Sequence, residues 1–296
     1  MYIAIDLGGT FIKLAYISTD GIIHQFVKTE TSGDFAGFLE TITSFSSNYE
    51  GVVRGIAISS PGTVYPDGKV GGSSAIPFIH DGNLKEKVER TLGLPVSIEN
   101  DANCAALAEV WKGAAQEYND AACIILGTGI GGAIIKDRQL HKGRHLLGGE
   151  IGYTLMSINP ETKSLSQCSL VASTGAMIRS YAKKRKVPID HLSGEWVFKQ
   201  AEDGDHIARD VIETFYFTLA TMVYNIHYIY NPDVILIGGA ISERPDLLDG
   251  VRKALATIFV ELNDLEHILP EVNVCHFRNH ANLLGALYAH LQISGK

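Results

Sequence analysis

The 296-residue chain is poor in several things at once: it has 9 prolines, 4 cysteines, 2 tryptophans and only 20% charged residues. Cys104, Cys123, Cys168 and Cys275 are scattered without a C-x-x-C pair. That excludes a disulfide-stapled secreted module and predicts reduced, mostly buried thiols. No stretch reaches the ~20 uninterrupted apolar residues of a membrane span, and the opening MYIAIDLGG lacks the basic start and apolar run of a signal peptide, so a cytoplasmic location is expected. Positive charge is also short: 25 Lys and Arg against 33 Asp and Glu leave a formal charge of −8. Polyanion binding draws on clustered Lys and Arg, and the densest basic run, Lys183-Lys184-Arg185-Lys186, reads as a solvated helix end. Neither nucleic acid nor a membrane is an expected partner.

Glycine is in surplus, with 30 residues, roughly 10% against an ordinary ~7%. Hydrophobic residues make up 46% and the glycines fall in pairs beside β-branched runs, which rules out collagen and low-complexity disorder. The length allows one large or two ordinary domains.

Along the chain, Tyr2 to Asp6, Phe11 to Ser18 and Ile22 to Thr29 read as strands, the last pair joined at an Asp20-Gly21 turn. Phe35 to Phe45 has helical spacing, Val52 to Ser59 is an apolar strand, and Leu84 to Leu92 is a helix ending at Gly93. Val96 to Glu99 is extended and the Ala-rich run from Ala102 to Trp111 is helical. The opening pattern then returns: Ala121 to Gly127, a glycine turn, and Ala133 to Lys136 repeat the strand, glycine turn, strand order of the N-terminus. A long helix from Asp205 to about Ile229 stops at Asn231-Pro232. The strand Asp233 to Ile237, a helix over 244–260, the strand Val272 to Cys275 and a helix from Asn282 to Ile293 follow, and the mixture argues for an α/β protein.

Three glycine clusters follow predicted strands, at residues 8–9, 127–132 and 238–239. A turn without Cβ atoms can aim several N–H groups at one phosphate. No P-loop is present and no G-x-G-x-x-G opens a helix, which removes the two commonest nucleotide-binding patterns. In Asp6-x-Gly8-Gly9-Thr10-x-x-Lys13 a carboxylate can hold water on Mg²⁺, the hydroxyl and amides can hold phosphate oxygens, and Lys13 can add charge. The blander reading is a carboxylate that caps a hairpin.

Together these segments resemble the ROK family of sugar kinases, within the sugar kinase, Hsp70 and actin superfamily. Asp6 to Thr10 resembles its first phosphate motif, Leu126-Gly127-Thr128-Gly129-Ile130-Gly131-Gly132 its second, and Asp233 to Gly239, with Gly238-Gly239, its adenosine motif. Glu99-Asn100-Asp101-Ala102-Asn103 and Gly149-Glu150-Ile151-Gly152 resemble its sugar motifs. The resemblance implies two actin-like (ribonuclease H-like) α/β domains around a central cleft: 1–115 joined by the C-terminal helix 282–296, and 116–281, with a hinge near 112–120. It also implies ATP and Mg²⁺ as cofactors and transfer of the γ-phosphoryl group to a hexose or hexoside, usually at the 6-hydroxyl, with Asp101 as general base. Gly62, Ser74, Asn100, Glu150 and Tyr153 are the implied sugar-side residues. Ser73 is weaker, and His80 and His145 read as polar surface groups.

Many relatives continue G-E-I-G-H and carry three cysteines that complete a structural zinc site. Here Tyr153 replaces the histidine, Cys168 is the one cysteine retained and Leu170 stands where a second glutamate would read the sugar. One thiol cannot build a four-ligand site, so no zinc is expected. With two polar readers gone, carbon 1 of the sugar is expected to tolerate an aglycone, as in a β-glucoside such as cellobiose. Kinases of N-acetylmannosamine, fructose or allose are alternatives. From another class come a catalytically inactive sugar sensor and a transcription regulator, the latter disfavoured because Asp6 leaves no room for a helix-turn-helix ahead of it. The family often forms dimers, so a homodimer is the expected assembly.

Overall fold

The computed structural model describes residues 1–47, 51–263 and 268–295. Residue 296, the end of the stretch expected to join the first domain, lies outside them. The chain forms two compact units. One holds Met1–Gln116, Gly143–Leu146 and the stretch from Asn279 onward, and the other Glu117–Lys142 and Leu147–Arg278.

The first unit runs β1 (Tyr2–Leu7), β2 (Phe11–Ile17), β3 (Ile23–Glu30), α1 (Phe35–Ser47), β4 (Ile56–Ser60), a small ribbon of β5 (Thr63–Val64) and β6 (Val70–Gly71), α2 (Leu84–Leu92), β7 (Val96–Asn100) and α3 (Asp101–Lys112). Its sheet has the order β3-β2-β1-β4-β7. β2 is antiparallel to β1 and β3, while β4 and β7 run parallel to β1. All six residues of β1 are buried, as a strand covered on both faces requires. Phe38, Ile42 and Phe45 of α1 and Leu84 and Val88 of α2 join Ile3, Ile5, Ile56 and Ile58 in one core. β4 starts at Ile56, later than the apolar run suggested, because Val52 projects into solvent with 77% of its surface exposed.

The second unit runs β8 (Ala121–Leu126), β9 (Ile130–Lys136), β10 (Gln139–Leu140), β11 (Leu155–Asn159), β12 (Ser164–Gln167), α4 (Cys168–Val171), α5 (Thr174–Arg185), α6 (Gly194–Glu202), α7 (His206–Ile229), β13 (Val234–Gly238), α8 (Leu247–Glu261) and β14 (Val272–Val274). Its sheet, β10-β9-β8-β13-β14, repeats the first in order and in strand sense. The repeated strand, glycine turn, strand unit is thus the seed of two equivalent sheets. The chain then returns to the first unit as α9 (Ala281–Ile293), whose Ala286 packs with Cys104 of α3 and Ala57 of β4.

Asp205 caps α7, accepting from the amides of Ile207 and Ala208, and the helix buries Val211, Phe215, Leu219 and Val223. α8 begins at Leu247, three residues beyond the expected start. Pro245 holds Arg244 in extended backbone (φ −73°, ψ 127°), and Ala240–Glu243 form a short 3-10 turn instead. The basic run closes α5 as expected, where cations suit a helix C-terminus. All four cysteines are buried free thiols, and among the described residues no helix is long and apolar enough to cross a membrane.

Candidate active site

Each sheet presents its glycine turn in the same way. Three residues, 8–10, join β1 to β2, and three residues, 127–129, join β8 to β9. The first amide of each is used inside the turn, Gly8 N–H by Phe11 O at 3.1 Å and Gly127 N–H by Gly129 O at 2.9 Å. The next two, of Gly9 and Thr10 and of Thr128 and Gly129, have no partner among the described residues. Two adjacent unpaired amides on a tight turn form an anion-binding nest. The turns are held from behind. Thr31 Oγ1 donates to Gly8 O at 2.6 Å, Ser173 Oγ donates to Thr128 O at 3.1 Å, and Ser169 Oγ accepts from Ile130 N at 3.0 Å. Gly131 lies in β9 opposite Ile125.

Asp6, at the end of β1, is buried. Its carboxylate accepts from Lys13 Nζ at 3.0 Å, Asn282 Nδ2 at 2.9 Å and Ser59 Oγ at 3.3 Å. The carboxylate therefore does more than cap a hairpin. Lys13 Nζ also donates to Asn279 O at 3.3 Å, which leaves the ammonium one further hydrogen.

Asp101 opens α3 but does not cap it. Asn100 is the cap, its Oδ1 accepting from Asn103 N at 3.1 Å while its Nδ2 donates to Gly62 O at 3.1 Å. Glu99 Oε1 takes Asn100 N and Asn103 Nδ2, both at 2.9 Å. Asp101 is not the cap; its carboxylate accepts the Ala102 amide at 2.8 Å and interacts with the Asn100 side chain, and no described residue forms a salt bridge with it. Burial raises its pKa above the usual carboxylate value and the nearby Asp6 charge adds to the rise, against the lowering by the Ala102 amide. A half-buried carboxylate with elevated basicity and no salt-bridge partner among the described residues is what a general base needs.

In the second unit, Gly238 and Gly239 end β13 against the second turn. A Cβ on Gly239 would stand 1.9 Å from Leu126 O, and its φ of +93° is open only to glycine without strain. Glu150 precedes a 3-10 turn, Ile151–Tyr153, that is seated on β9 and α4. A Cβ on Gly152 would lie 2.1 Å from Ile130 O and 2.4 Å from Ser169 Oγ. Half-buried Glu150, the second turn and Gly239 are therefore neighbours within one unit, as Asp6, Gly9, Gly62, Asn100 and Asp101 are within the other.

A family model described as "ROK family" matches residues 2–293. The chain belongs to the ROK family. It is 34% identical over 293 residues to the beta-glucoside kinase of Listeria monocytogenes, covering 98% of this chain and 97% of that one. Among solved structures it resembles a ROK family protein from Streptococcus pneumoniae in complex with sucrose, at 37% identity, TM-score 0.91 and 99% coverage of both chains. It also resembles a ROK family glucokinase from Streptomyces griseus in complex with glucose and AMPPNP, at 26% identity, TM-score 0.79 and 97% coverage of both.

The two departures from the ROK family pattern, Tyr153 and Leu170, and the retained Cys168 have definite surroundings. Tyr153 and Leu170 are 69% and 60% exposed. Cys168 is buried, its Sγ 3.0 Å from Thr154 Oγ1, and burial raises its thiol pKa. Among the described residues, no group of three or more His, Cys, Asp and Glu stands together as a metal site. His80 is not the partnerless surface group that was expected. It is half-buried and bonded to both Ser74 and Val70. Ser59, Asn282, Ser169 and Ser173, which hold the second glycine turn and Asp6 in place, carry no local signal in the sequence.

Proposed function

We propose that this ROK protein transfers the γ-phosphoryl group of ATP to the 6-hydroxyl of glucose or of a β-glucoside such as cellobiose. The observation that carries the reading is the half-buried Asp101 carboxylate at the start of α3, not needed as the helix cap and raised in basicity by desolvation and by Asp6. Its carboxylate accepts the proton as the sugar oxygen attacks phosphorus in line, and ADP leaves with the electron pair of the broken bond. The amide nests at Gly9-Thr10 and Thr128-Gly129, with Gly8, Gly127 and Gly131 shaping them, suit phosphate oxygens. Lys13 adds charge beside the first nest, and Gly238-Gly239 suit the adenosine. Gly62, Ser74, Asn100, Glu150 and Tyr153 are assigned to the sugar.

Mg²⁺ commonly keeps its waters and relies on one or two carboxylates plus substrate phosphates, and Asp6, oriented by three donors and next to a second carboxylate, fits that outer-sphere role. When bound, the ion would neutralise charge developing on the phosphates. Acceptance of a glycoside is supported by the exposed Tyr153 and Leu170 in place of polar readers, by the beta-glucoside kinase relative and by the sucrose complex. A cytoplasmic homodimer is the matching cellular and quaternary reading, and light scattering that returns a single chain mass would reject the dimer.

The test is a coupled ADP-release assay over glucose, cellobiose, N-acetylmannosamine, fructose and allose. Turnover on glucose or cellobiose is expected. A kcat/KM for glycosides far below that for N-acetylmannosamine or free glucose removes the glycoside assignment, and no turnover on any sugar favours a non-catalytic sensor.

A further inference from the structure

Ser74, in the loop after β6, and His80, at the end of the 3-10 turn Pro77–His80, form a pair of side chains to which phosphoryl transfer assigns no shared task. His80 Nδ1 is 3.1 Å from Val70 O, and its Nε2 is 2.9 Å from Ser74 Oγ. A carbonyl oxygen only accepts, so Nδ1 carries the hydrogen, and in the neutral ring Nε2 is the acceptor. The Ser74 hydroxyl therefore donates to His80 at 2.9 Å in preference to Ile76 O at 3.4 Å. Ser74 Oγ also accepts from Ile76 N at 3.2 Å. With its hydrogen committed to the imidazole and one lone pair to that amide, the oxygen has a single lone pair left. It can accept from a ligand and cannot donate to one.

The position of this loop gives the pair its meaning. The Ala75 Cβ lies 2.8 Å from where a Cβ on Gly9 would stand, so the loop abuts the first phosphate turn. His80 Cε1 lies 3.5 Å from the corresponding point on Gly62. Gly62 O in turn holds Asn100, the residue before Asp101, at 3.1 Å. Within the first unit, Ser74 is bracketed by the phosphate turn on one side and the segment carrying the base on the other.

We infer that Ser74 reads one free hydroxyl of the acceptor sugar as a hydrogen-bond donor, and that His80 is the positioning residue that fixes the polarity of Ser74. The inference rests on the hexose kinase reading and names a determinant of its sugar specificity. A sugar lacking the hydroxyl at that carbon, or carrying it as an ether, leaves the Ser74 lone pair unsatisfied, and such a site discriminates against the analogue.

The experiment compares glucose with 2-deoxy-, 3-deoxy- and 4-deoxyglucose in the wild type, Ser74→Ala, Ser74→Thr, His80→Ala and the double variant, by steady-state kinetics and by calorimetric binding of the same sugars. The wild type should lose ~10-fold on one of the three deoxy sugars, mainly in KM. Ser74→Ala should lose a similar factor on glucose and nothing further on that deoxy sugar, while Ser74→Thr retains most of the discrimination. His80→Ala should weaken reading of the same hydroxyl, and the double variant should be no worse than Ser74→Ala. Equal losses by Ser74→Ala on all four sugars, or simple addition of the two single-variant losses, would overturn the inference. The deciding quantity is the ratio of glucose to deoxy sugar within each protein, so a general folding defect cancels from it. Loss of turnover by the wild type on every sugar would count against the kinase reading, and the calorimetric cycle would still decide the Ser74–His80 pair.

Discussion

Replacing Asp101 with asparagine removes a charge while keeping the shape and the oxygen that accepts the Ala102 amide at 2.8 Å. Two effects of opposite sign follow from the same burial. For catalysis the loss is large, since a positioned general base contributes ~10²–10⁴-fold, and it should fall on kcat with KM for the sugar changed only a few-fold. For stability the sign is worked from the raised pKa. Burial and the Asp6 charge raise it against the Ala102 amide, and the net upward direction means that at pH 7 the folded state carries the ionised carboxylate at a cost. A neutral isostere recovers that cost, a gain of the order of 1 kcal/mol, or about 2 °C in Tm for a chain of this size. The gain should be present at neutral pH and shrink as pH falls through the raised pKa, where wild-type Asp101 takes up its own proton. Thermal melts of both proteins from pH 7 to pH 4, beside steady-state kinetics, test both halves. A variant that keeps more than a tenth of wild-type kcat, or one that melts below wild type at pH 7, would refute the reasoning.

Two further outcomes are expected. Gly239→Ala should cost ~2–3 kcal/mol and raise KM for ATP, because the new Cβ meets Leu126 O beside the second turn and φ stays positive; a melt within 1 °C of wild type, an interval chosen as roughly measurement error, would show that β13 has room to shift. Asp205 is pushed upward by its burial, yet hydrogen bonds from Arg185, Tyr181 and the amides of Ile207 and Ala208 prevail and hold its pKa at about 2. Its stabilising contribution is present above the ordinary value near ~3.9 and is lost as pH falls towards 2. Asp205→Asn should cost about 1 kcal/mol at pH 7, after allowance for the solvent-exposed Arg185 side chain, and should flatten the acid limb of stability between those values. An unchanged acid limb would show that the Arg185 and Tyr181 bonds do not persist in solution.

What could be read in advance was whatever is encoded locally. Apolar runs ending in glycine-rich turns mark β1, β8 and β13, because a buried strand and a tight turn each write their requirement into adjacent residues. α7 was legible for the same reason, its stripe of Val211, Phe215, Leu219 and Val223 lying between an Asp cap and Asn231-Pro232. The start of α8 was placed at Arg244, but Pro245 disfavours helical backbone at the residue before it, a steric effect with no hydropathy signature. α6 and the β11–β12 hairpin were missed, and Leu155, Ile158 and Leu165 of the hairpin are exposed, so no inward-facing alternation marks it. At the site, Asp6 and Asp101 could be named but their surroundings could not. Ser59 and Asn282 reach Asp6 from 53 and 276 residues away. The partners of His80 come from the ribbon strand and the loop behind it, a spacing that neither helix nor strand periodicity generates.

The return of α9 to the first unit sets an order of events during synthesis. Residues 117–142 and 147–278 are almost contiguous, so the second unit is fully translated while the first still lacks the helix that packs on α3 and the asparagine that orients Asp6. Domains generally form as units while the chain is made. Here the sheet of the first unit must wait for a helix made after the whole second unit. A chain released after residue 278 would hold every residue of the second unit and a first unit with Cys104 and Ala57 uncovered and Asp6 without its Asn282 donor.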